Sequence, residues 1–384
     1  MFSWIQHELS SIRAREEYRT LETWEATGPY LTQGGRTLLN LAGNDYLGLT
    51  VHPAVREAAA RAARDLGPGA TASRLLVGTS RLHDEMEQQL AAWKGHPTAL
   101  LFSSGYLAAL GAITVLAGRD DLIVADRLSH ACLIDAARLS GATLTRYKHN
   151  DLQDAERRLA TRGSYRRCLM ITESIFSMDG DRAPITDLLA TARQHDAFLL
   201  VDEAHALGVA GPRGAGLTAD APESASHLVT LGTLGKSLAS AGGFVTCSAP
   251  LRELLINQAR TFIFDTALPP PSVAAAQAAL SLLVAHPEWP VQLQQLAGNF
   301  TTALQSGGLP VRPAVSPIIP IILREAGLVL QAAQHARKAG LLVAAIRPPT
   351  VPPHTSRLRL SVSLGHRPAD LDEAARTLCS DLSR

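Results

Sequence analysis

The sequence predicts an α/β protein, with a mainly parallel central sheet flanked by helices and a smaller C-terminal α+β domain. Three observations carry this. Short, β-rich and largely apolar runs recur at 98–102, 122–125, 143–147, 168–172, 198–201, 228–231 and 244–247. Helical patterns lie between most of them, at 105–116, 130–139, 152–160 and 185–195. Alternation of this kind, with strands apolar on both sides, implies a parallel sheet covered on both faces. The rhythm then changes after Pro287 and Pro290.

Each element has its local reason. Pro53 opens an Ala/Arg-rich helix reaching Asp65, a helix start suited to proline. A glycine-rich stretch follows at 67–78. The 244–247 run follows 228–231 through a loop with no helix, so that pair is where a parallel pattern breaks. Three prolines at 269–271 precede a helix over 272–285. Beyond Pro290 the pattern reads helix, strand 318–323, helix 326–339, strands 341–346 and 357–362, and a final helix 369–382. These boundaries give an N-terminal arm at 1–48, a large domain at 49–286 and a small domain at 287–384. There are no internal repeats.

Composition excludes several classes. The chain has 384 residues, 46% apolar and 18% charged, enough to bury a large core and too apolar for global disorder. Lys+Arg is 36 and Asp+Glu is 35, a net charge of +1, which gives no footprint for nucleic acid or an anionic membrane. Cys132, Cys168, Cys247 and Cys379 are scattered with no C-x-x-C, so neither a disulfide framework nor a metal site is expected. No export signal opens the chain, and the longest apolar stretch, 107–116, is too short to span a bilayer. A reduced, cytoplasmic enzyme is the expectation.

Two motifs mislead. DEAH at 202–205 and GKS at 235–237 together suggest a P-loop ATPase. A P-loop needs glycine five residues before Gly235, where Thr230 stands, and it precedes its acidic strand rather than following it. No G-x-S-x-G elbow or H-E-x-x-H motif occurs.

The chemistry lies at strand ends. The apolar run 198–201 ends at Asp202, and 228–231 leads to Lys236 on a glycine-flanked turn. The two residues are 236 − 202 = 34 positions apart, room for one further strand. In parallel sheets, ligands bind at the carboxyl ends of strands. Alone, the Asp reads as a turn cap and the Lys as a surface residue. Together they are what pyridoxal phosphate needs: a lysine for the Schiff base and a carboxylate for the pyridine nitrogen. Ser104 and Gly105 open a helix after the 98–102 run, a phosphate site or an ordinary N-cap. His130 can stack on the ring, His205 can reach the ring hydroxyl, and Thr233 can bind phosphate.

With these residues placed, the chain resembles the α-oxoamine synthases, fold-type I pyridoxal-phosphate enzymes, over roughly 9–382. It is most similar to those members that serve biotin biosynthesis. The matching motifs are NDYLG at 44–48, SRL at 73–75, SGY at 104–106, DRLSH at 126–130, Glu173, FSMDG at 176–180, DEAH at 202–205, GTLGK at 232–236, ALPP at 267–270 and AIRPPT at 345–350. The resemblance implies Lys236 as Schiff-base lysine and base, Asp202 at the pyridinium, and His130 over the ring, where it also helps to orient and bind substrate. It implies Ser177 and His205 on the ring hydroxyl side, and Gly105, Tyr106 and Thr233 in the cofactor and phosphate pocket. Arg19, Asn44, Thr350 and Arg359 fall on substrate-side positions, with Arg359 suited to a carboxylate. The implied reaction condenses L-alanine with pimeloyl-CoA, or the acyl-carrier-protein thioester, with loss of CO2. Relatives that join glycine to acetyl-CoA, or serine to palmitoyl-CoA, are the alternative. A homodimer with its active site at the subunit interface is also implied. The apolar, irregular stretches 67–78 and 262–271 suit buried contacts. A catalytically inactive relative is disfavoured by intact Lys236, Asp202 and His130. Asp265 and His354 depart from the family pattern, which usually has a hydroxyl residue and a glycine there.

Overall fold

The computed structural model describes residues 2–25, 28–219, 221 and 226–382. In chain order, the described strands are β1 (Tyr30–Gln33), β2 (Arg36–Asn40), β3 (Thr98–Phe102), β4 (Leu122–Asp126), β5 (Thr143–Tyr147), β6 (Cys168–Glu173), β7 (Phe198–Asp202), β8 (Leu228–Thr233), β9 (Gly243–Cys247), β10 (Ile318–Arg324), β11 (Leu341–Leu342), β12 (Ala344–Ile346) and β13 (Ser356–Ser361). The chain divides into two compact units. One comprises Leu49–Ser177 and Asp181–Val291. The other comprises Met1–Gly48, Met178–Gly180 and Gln292–Arg384, so the expected N-terminal arm shares a unit with the C-terminal residues.

The larger unit holds a seven-stranded sheet in the order β3-β9-β8-β7-β6-β4-β5. Pairs β4–β5, β4–β6, β6–β7 and β7–β8 are parallel, and β9 runs antiparallel to both β8 and β3. The break therefore falls where a loop without a helix predicts it. Among the described residues no strand lies between β7 and β8 in the chain; residues 203–219 pass through turns and a short 3-10 helix at Pro212–Gly214 instead.

Apart from the edge strand β5, where Thr143 and Arg146 are exposed, the strands are largely apolar because each face is buried. Ile123, Ala125, Ile171 and Leu200 pack with the helices Gly105–Leu116 and Ala131–Ser140 in one core. Leu122, Val124, Met170, Leu199 and Val201 pack with the helices Leu152–Leu159 and Ile185–Gln194 in another. Adjacent residues of one strand thus enter opposite cores. Four strands run one or two residues past their apolar runs, so Asp126, Glu173, Asp202 and Thr233 are last residues of strands. The ladder itself continues: Glu173 pairs across from Asp202.

In the smaller unit, β1 and β2 form a hairpin through Gly34 and Gly35, both at positive φ (54° and 74°), as a tight hairpin turn requires. The stretch expected as one strand at 341–346 divides between two sheets. Leu341–Leu342 pairs parallel with β2, and Ala344–Ile346 pairs antiparallel with β13. Strand β13, buried along its length, also pairs with β10.

Candidate active site

Asp202 ends β7, and its Oδ1 accepts the amide of Ala204 at 2.9 Å. The next residue, Glu203, is locked in place by Lys94, fully buried on the helix Arg81–Lys94, and by the Thr218 hydroxyl at 2.6 Å. Its neighbour Asp202 is only partly buried. Past β8, Lys236 donates from Nζ to Nε2 of His205 at 2.7 Å. The flanking glycines serve different ends. A Cβ on Gly232 would meet the Phe244 ring at 2.3 Å, so core packing requires that glycine, whereas at Gly235 the nearest atom lies at 3.4 Å.

Glu173 organises the neighbouring loops. One carboxyl oxygen accepts the amide of His130 at 2.7 Å and the other that of Ser177 at 3.2 Å. Burial first, and the Asp202 charge second, raise its pKa to about 8, while Lys236 and the two amides oppose the shift. His130 caps the helix Ala131–Ser140 through Nδ1 and the Cys132 amide, yet it is exposed, so capping is compatible with stacking on the ring. Ser177 and His205 are both buried, at 6% exposure. Burial pushes the Cys132 thiol up, with Asp202 and Glu173 adding to it, so this sulfur stays protonated.

The helix Gly105–Leu116 begins beside Thr233. Ser104 caps it by accepting the Leu107 amide at 3.1 Å, and a Cβ on Gly105 would lie 3.4 Å from Thr233 Cβ. Thr233 donates to the Gly242 carbonyl at 3.0 Å and accepts the Gly235 amide at 3.1 Å. The amides of Gly105 and Tyr106 stand in the first turn, ahead of the first intrahelical bond, where helix amides can donate to an anion. The Tyr106 hydroxyl donates to Asp135 at 2.7 Å, which raises its pKa. A strand-end carboxylate, a lysine amine, and a glycine-lined helix start beside a threonine fit pyridoxal phosphate.

Of the substrate-side residues, Arg19, Asn44, Thr350 and Arg359 lie in the smaller unit and His130 in the larger. Arg359, on β13 and 4% exposed, donates to Asn44 Oδ1 at 2.9 Å, the Tyr46 hydroxyl at 3.3 Å and Ser361 Oγ at 3.1 Å. Burial raises the Tyr46 pKa, with Arg359 opposing. Arg19 reaches the Pro348 carbonyl at 3.3 Å, two residues before exposed Thr350. The structure thus brings Asn44 to Arg359, and Arg19 to the 347–350 turn. His354 occupies a left-handed conformation, φ 59°, where glycine is usual, and its ring meets Glu325 at 3.0 Å. Asp265 Oδ2 is buried with no hydrogen-bond partner among the described residues, and the next carbonyl, Thr266, accepts from Ser103 at 2.8 Å.

Sequence reasoning assigned no role to Glu173, Tyr46 or Lys94. The signal for Glu173 was available, since it follows an apolar run as Asp202 does. Lys94 gave none, because its partner is 109 positions away.

The family model for class I and II aminotransferases matches residues 36–378. An 8-amino-7-oxononanoate synthase from Anaeromyxobacter dehalogenans is 46% identical over 370 residues, covering 96% of this chain and 93% of its own. Among solved structures, a serine palmitoyltransferase from S. paucimobilis with a bound PLP–myriocin aldimine superposes with a TM-score of 0.91 at 30% identity, covering 99% of this chain and 97% of its own. An 8-amino-7-oxononanoate synthase from Francisella tularensis gives 0.78 at 27% identity, covering 90% and 98%. With a family model across most of its length and relatives this similar end to end, the chain belongs to the class I and II aminotransferase family, in the branch of the 8-amino-7-oxononanoate synthases.

Proposed function

We propose that this protein is a pyridoxal-phosphate-dependent acyltransferase that condenses L-alanine with pimeloyl-CoA, or pimeloyl-acyl-carrier protein, in biotin biosynthesis. The alanine α-carbon bonds to the thioester carbonyl carbon, the carbon–sulfur bond breaks to release CoA, and the alanine carboxyl leaves as CO2. The product is 8-amino-7-oxononanoate. The observation that carries this is the pair of adjacent strand ends: Asp202 ends β7, and Lys236 follows β8 with Nζ 2.7 Å from His205.

Pyridoxal phosphate, when bound, supplies an electron sink for negative charge at the substrate α-carbon. Lys236 would hold it covalently through Nζ, and the same amine, when free, would take the α-proton. Asp202 keeps the pyridine nitrogen protonated by charge pairing. His130 covers one ring face, and Ser177 and His205 bind on the ring hydroxyl side. Gly105 and Tyr106 offer amides, and Thr233 a hydroxyl, to the phosphate. Arg359 receives the amino-acid carboxylate bidentately, oriented by Asn44. Arg19 and Thr350 hold substrate from the 347–350 turn.

A second reading, a related α-oxoamine synthase acting on glycine or serine, draws on the TM-score of 0.91 to a serine palmitoyltransferase. The 46% identity favours the alanine enzyme. We read the protein as a cytoplasmic homodimer. Among the described residues no helix is long and apolar enough to cross a membrane, and all four cysteines are buried and free. Leu76, Val77 and Phe264, on the two stretches read from sequence as contacts, are 77%, 80% and 70% exposed, apolar surface that a second copy would cover. The test of the function is CoA release from pimeloyl-CoA with L-alanine, dependent on added pyridoxal phosphate and absent in Lys236→Ala. Cofactor-independent release would contradict it.

A further inference from the structure

One imidazole outside the proposed catalytic set joins two loops that carry members of it. His149 lies two residues past β5. Its Nδ1 is 3.0 Å from Asp126 Oδ1 and its Nε2 is 2.8 Å from Asp181 Oδ2. Both nitrogens face carboxylates, so both donate and the ring is a cation. Burial opposes that charge, but the hydrogen bonds and charges of Asp126 and Asp181 outweigh it and raise the pKa to about 10. The ring also stands edge-on to Phe176, with centroids 4.3 Å apart at 89°.

Each carboxylate anchors one loop. Asp126 is fully buried, accepts the Leu128 amide at 2.8 Å through Oδ1, and accepts the Ser129 amide at 3.2 Å through its carbonyl. That turn delivers His130. The Asp181 carbonyl accepts the amide of Phe176, the residue before Ser177, at 3.0 Å. Asn150 reinforces both arms. At φ 54°, it donates its amide to Asp126 at 3.0 Å and its side chain to Asp181 at 3.1 Å. The same two loops meet again at Glu173, which takes the amides of His130 and Ser177. One carboxyl group and one imidazolium therefore fasten the same pair of loops at two places.

We propose that His149 is a positioning residue: by bridging Asp126 to Asp181 through both ring nitrogens, it holds the loop bearing His130 and the loop bearing Ser177 in the one arrangement the cofactor site needs. This rests on the functional reading above, in which His130 and Ser177 flank the ring. Groups that orient others around a reactive centre typically cost about 10- to 100-fold when removed.

The variants are His149→Gln and Asp181→Asn, each prepared as full-length apo-protein and reconstituted. Pyridoxal phosphate should bind each apo-protein about tenfold more weakly, followed by quenching of intrinsic fluorescence. The visible circular dichroism of the bound cofactor should diminish. At saturating cofactor, kcat should fall about tenfold while the KM for L-alanine stays within about twofold, because the carboxylate-binding residues are elsewhere. Amides 127–130 and 176–181 should exchange faster in the apo variants. A purely structural role would lower the melting temperature and leave cofactor affinity, dichroism and kcat of the folded protein unchanged; that result overturns the proposal. Should His149→Gln not fold, Asp181→Asn cuts one arm alone and decides by the same readouts. A wild-type protein that binds no cofactor overturns the functional reading and this proposal together, whereas unchanged variants beside an active wild type overturn only this one.

Discussion

Glu173 lies directly across from Asp202 in the pairing of β6 with β7, two carboxyl-bearing residues on adjacent strand ends with Glu173 fully buried. Burial and the neighbouring charge raise its pKa from 4.5 to about 8. The folded apo-protein therefore holds a proton that the unfolded chain releases. Between about pH 4.5 and 8 the folded state binds more protons, so this group's contribution to stability declines as pH rises through that window. Melting temperatures across the window should fall less steeply for Glu173→Gln than for wild type. Equal slopes would show that Glu173 is ionised throughout. The same substitution leaves one amide, of His130 or Ser177, facing an amide nitrogen, and should weaken cofactor binding.

Lys236→Ala should lower turnover by at least about a thousandfold. Borohydride treatment of the reconstituted wild type should leave a stable mass increase on the peptide containing Lys236, and none in the variant. A trapped adduct on another lysine would misplace the site.

Arg359→Lys should raise the KM for L-alanine by about tenfold or more, since a lysine cannot reproduce the bidentate fork. The KM for the thioester should change little. Steady-state kinetics with each substrate varied in turn separates the two, and an effect confined to the thioester would remove Arg359 from the carboxylate role.

Lys94→Met should destabilise the protein by about 3–5 kcal/mol, because it leaves the Glu203 carboxylate buried without its cation. Adding Glu203→Leu should recover part of that loss, measured by thermal or denaturant unfolding. No recovery would mean that the cost lies in packing rather than in the unpaired charge.

The sheet was legible because a strand buried on both faces must be largely apolar along its length, as six of the seven runs are; the edge run at 143–147 carries Arg146 and is partly exposed. The reversed strand β9 was legible from a missing crossover helix. Where one apolar stretch serves two sheets, as at Leu341–Leu342 and Ala344–Ile346, both halves look alike and the division leaves no trace in the pattern. The helix Arg81–Lys94 escaped notice because it buries His83, Glu87 and Lys94, which blur its apolar face. At the site, Asp202 stood out as a polar residue closing an apolar run, and Lys236 as a lysine on the glycine-flanked turn that follows another. The pairings of Glu173 with His130, His149 with Asp126 and Arg359 with Asn44 were not legible, since they join residues 43, 23 and 315 positions apart.

The central claim is the identity of the substrates, and CoA release by the reconstituted protein tests it most directly. Pimeloyl-, acetyl- and palmitoyl-CoA are each offered with L-alanine, glycine and L-serine. Pimeloyl-CoA with L-alanine should give the highest kcat/KM of the nine pairs, with 8-amino-7-oxononanoate identified by mass. A preference for glycine with acetyl-CoA, or for serine with palmitoyl-CoA, would contradict the account while leaving Lys236 and Asp202 in their roles.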